Sequence, residues 1–369
     1  MRVLIVARAW SFHGGIETAT ANLLRALVAH GDEVHLLTPG ASPPVPGVAV
    51  HRLHVPPLPP AARVVAIALL ARRALHWRTW DVVQSHERTL GQDVYRAGEG
   101  CHRAYLEHRD DRGGRGLYHR AVLALERRIF ATTPVIVAIA RIGKEEIERL
   151  YGVEPGRVSV VYNGVDLERF HPANRVQSGA AARREADVSG MDRIVLYVGS
   201  GFARKGLRTA IEALAKLDDK RFRLAVIGRD DETAYRALAD QIGVGGRVLW
   251  LGARPDVEHW YAAADVVVLP TRYEPFGNVH LEALASGTPV VTSTRAGGAE
   301  VIVEGVNGAV CEPHDAAAFA AGIERLSGQD ASIRISAARA SAEPFTYARH
   351  VTELRRVWER RPRANGDFP

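Results

Sequence analysis

Short runs of Val, Ile and Leu recur along this chain, mostly apolar at successive positions rather than at alternate ones, and stretches with helical spacing lie between them. Val3–Ala7, Glu33–Leu37, Val82–Gln84, Val135–Ile139 and Val158–Val161 have this character, with helical patterns near Glu17–His30, Arg63–Trp77, Tyr118–Ala131 and Arg141–Tyr151. A strand that is apolar on both faces needs cover on both faces, which places it in a parallel sheet between layers of helix. The order βαβα therefore predicts an α/β, doubly wound, Rossmann-like domain. The pattern then restarts. Ile194–Val198, Leu224–Ile227, Val248–Leu251, Val266–Leu269 and Val290–Thr292 read as strands of the same kind. Gly206–Leu217, Glu232–Ile242, Val257–Ala263, Val279–Ser286 and Ala316–Leu326 read as the helices between them. The chain has 369 residues, a length that suits two domains at roughly 100–200 residues each. The division expected is a first domain over 1–170, a linker over 171–191 with no strand signal, and a second domain over 192–343. A helical segment over 344–369 follows, whose Tyr347, Val351, Leu354, Val357 and Trp358 fall at helical spacing.

Composition excludes several classes. The longest wholly apolar stretch is Val64–Ala71, against about 20 residues for a spanning helix. The apolar run after Arg2 is too short for a secretory signal, so the N-terminus reads as a first strand and the protein as cytoplasmic. Cys101 and Cys311 make neither a disulfide framework nor a zinc cluster. Residues 1–170 carry 22 Lys and Arg against 17 Asp and Glu, while the rest is nearly balanced, so the first half suits an anionic partner. No interleaved aromatic platform or nucleic-acid motif accompanies the arginines, and nucleic acid is not an expected partner.

The densest chemistry lies in Thr271–Val291. Pro275 biases Glu274 toward an extended conformation, and Gly277-Asn278 suits a helix entry, with Asn278 as cap. Gly287 ends the helix. This places free amides and a positive helix end beside the carboxyl end of strand 266–269, where open α/β sheets bind ligands and helices bind phosphate. Glu274 and Glu282, as ionised carboxylates, are pure acceptors suited to sugar hydroxyls. Val198–Gly206 follows the first strand of the second domain; Gly199 and Gly201 give an adaptable loop, and Arg204 and Lys205 place two cations before a helix. Cations at a helix start oppose its dipole, so an anionic ligand is the better account of them. No Asp-x-Asp occurs, and no metal is expected. The loop Trp10–Glu17 is not Gly-x-Gly-x-x-Gly, which disfavours a nicotinamide fold. His86 lies just past a strand end, and Glu99 in Gly91–Cys101.

Glu274-x7-Glu282 resembles the signature of the family 4 retaining glycosyltransferases, which have the two-domain GT-B fold, and Val161–Pro172 resembles the segment that ends their first domain. The likeness runs from about Val3 to Leu326. It implies that Glu274 contacts the donor sugar, that Glu282 contacts the ribose, and that the amides of Phe276, Gly277 and Asn278, with Val279 in the same set, face the diphosphate. Arg204 and Lys205 would bind that diphosphate, where departure of the nucleotide develops negative charge. Gly14 and Gly15 would approach the leaving phosphate and the acceptor, and His86 the donor sugar. Gly91–Cys101 and Val198–Gly206 are similar to the lipopolysaccharide core glucosyltransferase I subgroup, which adds glucose to an inner-core heptose. That subgroup has Asp where this chain has Glu99, a departure of one methylene in the acceptor region.

The resemblance implies a metal-independent retaining transfer of a hexose from a UDP-sugar, with no other cofactor, to a lipopolysaccharide core acceptor. The site would lie in the cleft between the domains, the leaving phosphate would take the acceptor proton, and the last helix would cross back to the first domain. Glu99 would orient or deprotonate the acceptor. Residues 102–128 hold seven arginines against four acids, with Tyr105, Leu106, Leu117 and Tyr118 among them. That segment suits an anionic membrane surface on the inner face of the cytoplasmic membrane. Three alternatives stay open: another family 4 transferase with an exopolysaccharide or lipid-linked acceptor, a UDP-sugar epimerase of the same fold, and a non-catalytic UDP-sugar-binding module.

Overall fold

The computed structural model describes residues 1–8, 15–75, 78–108 and 116–361. They form two compact units: Met1–Gly164 with the C-terminal segment from Tyr347, and Val165–Thr346. The first unit runs β1 (Arg2–Val6), α1 (Gly15–Ala29), β2 (Glu33–Thr38), β3 (Val48–Arg52), α2 (Pro60–Ala74), β4 (Val82–Ser85), β5 (Val94–Ala97), α3 (His102–Glu107), α4 (Leu117–Thr132), β6 (Val135–Ala138), α5 (Arg141–Tyr151) and β7 (Val158–Val160). The second runs α6 (Ser178–Glu185), β8 (Arg193–Val198), α7 (Phe202–Lys205), α8 (Leu207–Lys216), β9 (Phe222–Ile227), α9 (Thr233–Gln241), β10 (Val248–Gly252), α10 (Val257–Ala263), β11 (Val266–Leu269), α11 (Val279–Ala285), β12 (Val290–Ser293), β13 (Gly308–Cys311), α12 (Ala316–Ser327) and α13 (Ala331–Ala342). The last helix, α14 (Tyr347–Arg360), belongs to the first unit.

Among the described residues the first sheet has the order β3-β2-β1-β4-β5-β6-β7 and the second β10-β9-β8-β11-β12-β13, and neighbouring strands pair in parallel. Alternation along β1 shows why its residues are apolar throughout. Val3 and Ile5 enter a core with Leu24 and Leu27 of α1 and Leu354 and Trp358 of α14, while Leu4 and Val6 enter a second core with Ala71 of α2 and Leu75 just beyond it. Each sheet reverses its strand order between two neighbours, β1 and β4 in one and β8 and β11 in the other. Loops leaving such a pair diverge and open a crevice at the carboxyl ends of the strands.

Helix α14 packs on α1 through Val351, Leu354 and Trp358, and the Trp358 indole donates to Gln84 Oε1 at 2.9 Å. Its Arg355 meets Asp32 at 2.5 Å, and Asp32 also accepts from the Met1 amino group at 2.8 Å.

Several expectations are corrected. Residues 171–191 are not a bare linker. Their Ala-rich centre forms α6, which lies so close to α10 that a Cβ on Gly179 would sit 3.1 Å from the Ala262 backbone. Arg175 and Arg183 tie the segment to Thr288 Oγ1 (2.7 Å) and the Ala263 carbonyl (3.0 Å). Strands β3, β5 and β13 and helix α13 were not anticipated. β3 is an edge strand with exposed residues, β5 carries an arginine, and β13 begins with a glycine whose Cβ would lie 2.2 Å from the Val290 carbonyl oxygen.

Candidate functional site

The residues singled out in the second unit lie on the loops after β8 and β11. After β8 the chain turns through Gly199 (φ +153°) and Gly201 (φ +76°) into the single turn α7, which carries Arg204 and Lys205. Gly206 (φ +74°) then joins α7 to α8 against the end of β11; a Cβ there would lie 1.9 Å from the Pro270 carbonyl oxygen. Only glycine permits that approach. The Arg204 carbonyl accepts from Arg272 N (2.8 Å) and Thr271 Oγ1 (3.2 Å), so backbone bonds lock the two loops together.

On that lock the side chains converge. Arg204 Nη1 donates to the Tyr273 carbonyl (2.8 Å) and to Glu274 Oε2 (3.0 Å), and Lys205 Nζ lies 3.4 Å from the same oxygen. The Lys205 chain lies across Gly199, where a Cβ would come within 2.4 Å of its Cδ. Glu274 is 13% exposed. Burial pushes its carboxyl up, but the charges of Lys205 and Arg204 outweigh burial and hold it below the usual carboxylate range. It is therefore ionised. Its hydrogen bond and both ion pairs fall on Oε2, so two cations stand against one carboxylate.

Gly277 adopts φ +83° and starts α11. Asn278 does not act as the expected side-chain cap. It is already helical, at φ −55° and ψ −24°, and the left-handed Gly277 makes the entry in its place. His280, not singled out in the sequence, braces this entry. It is fully buried; Nδ1 lies 2.7 Å from the Gly277 carbonyl and Nε2 lies 2.8 Å from Thr292 Oγ1. A carbonyl only accepts, so Nδ1 carries the proton and Nε2 accepts from the threonine hydroxyl. Burial pulls this imidazole down to about 4, which keeps it neutral. The Phe276 carbonyl accepts from Gly298 N (2.8 Å), and the Glu274 carbonyl from Gly297 N (2.8 Å), so residues 274–278 are pinned to the loop after β12.

Glu282 sits in the first turn of α11. Burial pushes its carboxyl up; the hydroxyl of the fully buried Tyr261, donating to Oε2 at 2.8 Å, and the charge of Arg169 offset part of that. Arg169 is itself held by Glu258 through Nε (3.1 Å) and Nη2 (2.7 Å).

In the first unit, His86 and Glu99 follow β4 and β5. His86 is buried between Thr20 Oγ1 (3.4 Å from Nδ1) and Gln84 Nε2 (2.9 Å from Nε2). The Gln84 oxygen accepts from Trp358, so its amide nitrogen donates to His86 Nε2, and His86 Nδ1 holds the proton. Burial and the charge of Arg96 pull His86 well below its usual range. Glu99 is clamped between Arg8 and Arg88, whose Nη1 donates to Oε2 at 2.8 Å; Arg8 Nε also meets Glu87 at 2.9 Å. Burial pushes Glu99 up, yet the two guanidiniums outweigh it and hold it below the carboxylate range. A carboxylate so stabilised is a poor proton acceptor. Gly15 opens α1, while Gly14 lies outside the described residues. Arg8, Arg88 and Arg96 escaped the sequence reading; a charge inside the buried strand β5 is the signal that marks Arg96.

Residues 13–169 match the model described as Glycosyltransferase Family 4, and residues 180–340 that described as Glycosyl transferases group 1. A D-inositol 3-phosphate glycosyltransferase of Xylanimonas cellulosilytica is 34% identical over 378 residues, covering 90% of this chain and 88% of its own. The crystal structure of WaaG, a glycosyltransferase involved in lipopolysaccharide biosynthesis, superposes with a TM-score of 0.80 at 24% identity, over 96% of this chain and 99% of that one. Anabaena Alr3699/HepE in complex with UDP and glucose superposes with a TM-score of 0.75 at 18% identity, over 98% and 100%. Two parallel Rossmann-like units, each matched by its own half of the family, place this chain among the family 4 glycosyltransferases of GT-B fold, and it belongs to that family.

Proposed function

We propose that this chain is a retaining hexosyltransferase that moves a hexose, glucose in the first instance, from a UDP-sugar to a heptose of the lipopolysaccharide inner core. The observation that carries the donor half is the convergence of Arg204 and Lys205 on one oxygen of Glu274, at the strand-order reversal of the second sheet. Two fixed cations beside the αL entry of α11 suit a departing diphosphate, and they supply the charge a metal would otherwise bring. Glu274 Oε1 accepts from the sugar and Glu282 from the ribose, with the amides of residues 276–279 on the diphosphate. The transfer needs no cofactor beyond the UDP-sugar. The first unit takes the acceptor, with Glu99 holding Arg8 and Arg88 in place for it and His86, as a neutral imidazole, on the donor sugar.

The enzyme works in the cytoplasm at the inner face of the membrane. Among the described residues no helix is long and apolar enough to cross a membrane. Arg103, Arg120, Arg127 and Arg128 are exposed, Leu117 is 74% exposed, and Glu126 is buried and does not offset them. Arg109, Asp110, Asp111, Arg112 and Arg115 lie outside the described residues.

A second reading has its own support. The 34% identical relative is named for D-inositol 3-phosphate, so a phosphorylated cyclitol is the competing acceptor. A screen of purified protein with UDP-glucose, UDP-galactose and UDP-N-acetylglucosamine, against truncated lipopolysaccharide and inositol phosphate, followed by UDP release and product mass, decides between them. A glucosylated heptose supports the first reading, and a glycosylated inositol phosphate the second. UDP-sugar conversion without acceptor would point to an epimerase instead.

A further inference from the structure

We infer that Arg96 anchors a binding site for an oxyanion, phosphate or carboxylate, carried by the sugar or cyclitol that the first unit binds. The inference rests on the transferase reading only for the molecule that carries the oxyanion. Arg96 lies on β5 and is 5% exposed. Its Nη2 donates to Asn163 Oδ1 at 2.6 Å, and its Nε is buried with no hydrogen-bond partner. Among the described residues no carboxylate pairs with it. The other two guanidiniums at this end of the sheet are matched to acids, Arg8 to Glu87 and Glu99, and Arg88 to Glu99 and Glu126.

The groups whose charges couple to Arg96 do not balance it. His86 and His350 are buried imidazoles kept neutral, first by burial and then by the charge of Arg96 itself, and the Tyr347 phenol also couples to it. Burial pulls even this guanidinium down to about 10. A buried charge without a counter-charge is costly, and a fold keeps one where a ligand supplies the balance.

The position suits that role. Successive strand residues face opposite ways, so Tyr95 packs on Phe130 of α4 while Arg96 takes the other face. The guanidinium folds back under Gly98, where a Cβ would lie 2.3 Å from Nη1. A glycine there leaves no side chain over that nitrogen. The planar fork of an arginine matches a phosphate or carboxylate with two parallel bonds.

The test uses the full chain in chloride buffer with saturating UDP, which occupies the cations of the second unit. Inorganic phosphate, glucose 6-phosphate, glucuronate and glucose are titrated by calorimetry and thermal melting against the parent, Arg96→Met and Arg96→Lys. In the parent, phosphate and at least one charged sugar bind and raise Tm, and glucose does not. Glucose 6-phosphate against glucuronate tells phosphate from carboxylate. Arg96→Met weakens that binding at least about tenfold, the scale of one lost charged hydrogen bond. It also melts at or above the parent without oxyanion, because an unbalanced buried charge has gone. Arg96→Lys keeps the charge without the fork and falls between. An unresponsive parent, or equal oxyanion affinity in parent and Arg96→Met, overturns the site. If Arg96→Met does not fold, equal affinity in parent and Arg96→Lys overturns it. Failure of UDP to bind the parent counts against the donor assignment instead and leaves the Arg96 comparison standing.

Discussion

Removing the Tyr261 hydroxyl probes the proposed donor site without touching either of its glutamates. Tyr261 is fully buried and gives its only proton to Glu282 Oε2 at 2.8 Å, on a carboxyl that burial already pushes above the ordinary range. In Tyr261→Phe the ring still fills its place against Phe170, 5.7 Å away, so packing is retained and one charge-assisted bond is lost. Such a bond contributes about 1.5–3 kcal/mol, which corresponds to a further rise of about one to two pKa units at Glu282. Two consequences follow with definite signs. The folded pKa of Glu282 lies above its unfolded value, so folding takes up a proton there, and stability falls as pH rises through that interval. Tyr261→Phe raises the folded pKa further and should therefore be more destabilising at pH 7 than near pH 4. A protonated Glu282 is also a poorer acceptor for a ribose hydroxyl, so UDP affinity should fall on the acid side, and the variant's acid limb should begin at higher pH. Urea melts at the two pH values and UDP calorimetry between pH 5 and 8 measure both. A UDP affinity and pH profile identical to the parent's would refute the reasoning, even if the variant were less stable.

Other expectations concern separate parts of the molecule. Gly206→Ala should lower stability by more than the ordinary left-handed penalty of about 1 kcal/mol, since its Cβ would meet the Pro270 carbonyl at 1.9 Å, and thermal melting would show it. Glu99→Gln should impair transfer and leave UDP affinity near the parent's, and Glu99→Asp should keep more activity; initial rates with UDP calorimetry separate these effects. Trp358→Ala should cost about 3–5 kcal/mol by urea titration, because a fully buried ring and its bond to Gln84 both go. The protein should sediment with anionic vesicles and not with zwitterionic ones, and salt should release it.

Much of this architecture was legible because buried parallel strands have one chemical solution. Val3–Val6 and Val266–Leu269 are apolar on both faces and could hardly sit elsewhere. Where a strand departs from that rule, the sequence is silent. β3 is exposed at an edge, β5 buries Arg96, and β13 starts on a glycine that a neighbouring carbonyl demands. The charged cluster of the second unit was visible because Glu274, Arg204 and Lys205 sit at recognisable spacings in two short loops, with Glu282 a turn into the following helix. Their supports were not. His280 reads as one more residue in a helix, and Tyr261 as one more apolar position in α10, until packing brings them to Gly277 and Glu282. The clamp on Glu99 is hidden for the same reason, since Arg8 is 91 residues away along the chain.

Arg204 and Lys205 are the proposed diphosphate site of a nucleotide-sugar donor. Calorimetric titration of UDP into the parent and into the Arg204→Met/Lys205→Met double variant, with EDTA present throughout, tests it most directly. A clear UDP isotherm is expected for the parent in EDTA, with a loss of about a hundredfold or more in the double variant, the effect of two charged hydrogen bonds. Equal UDP affinity in the two proteins, or parent binding that appears only when Mg²⁺ or Mn²⁺ is restored, would contradict it.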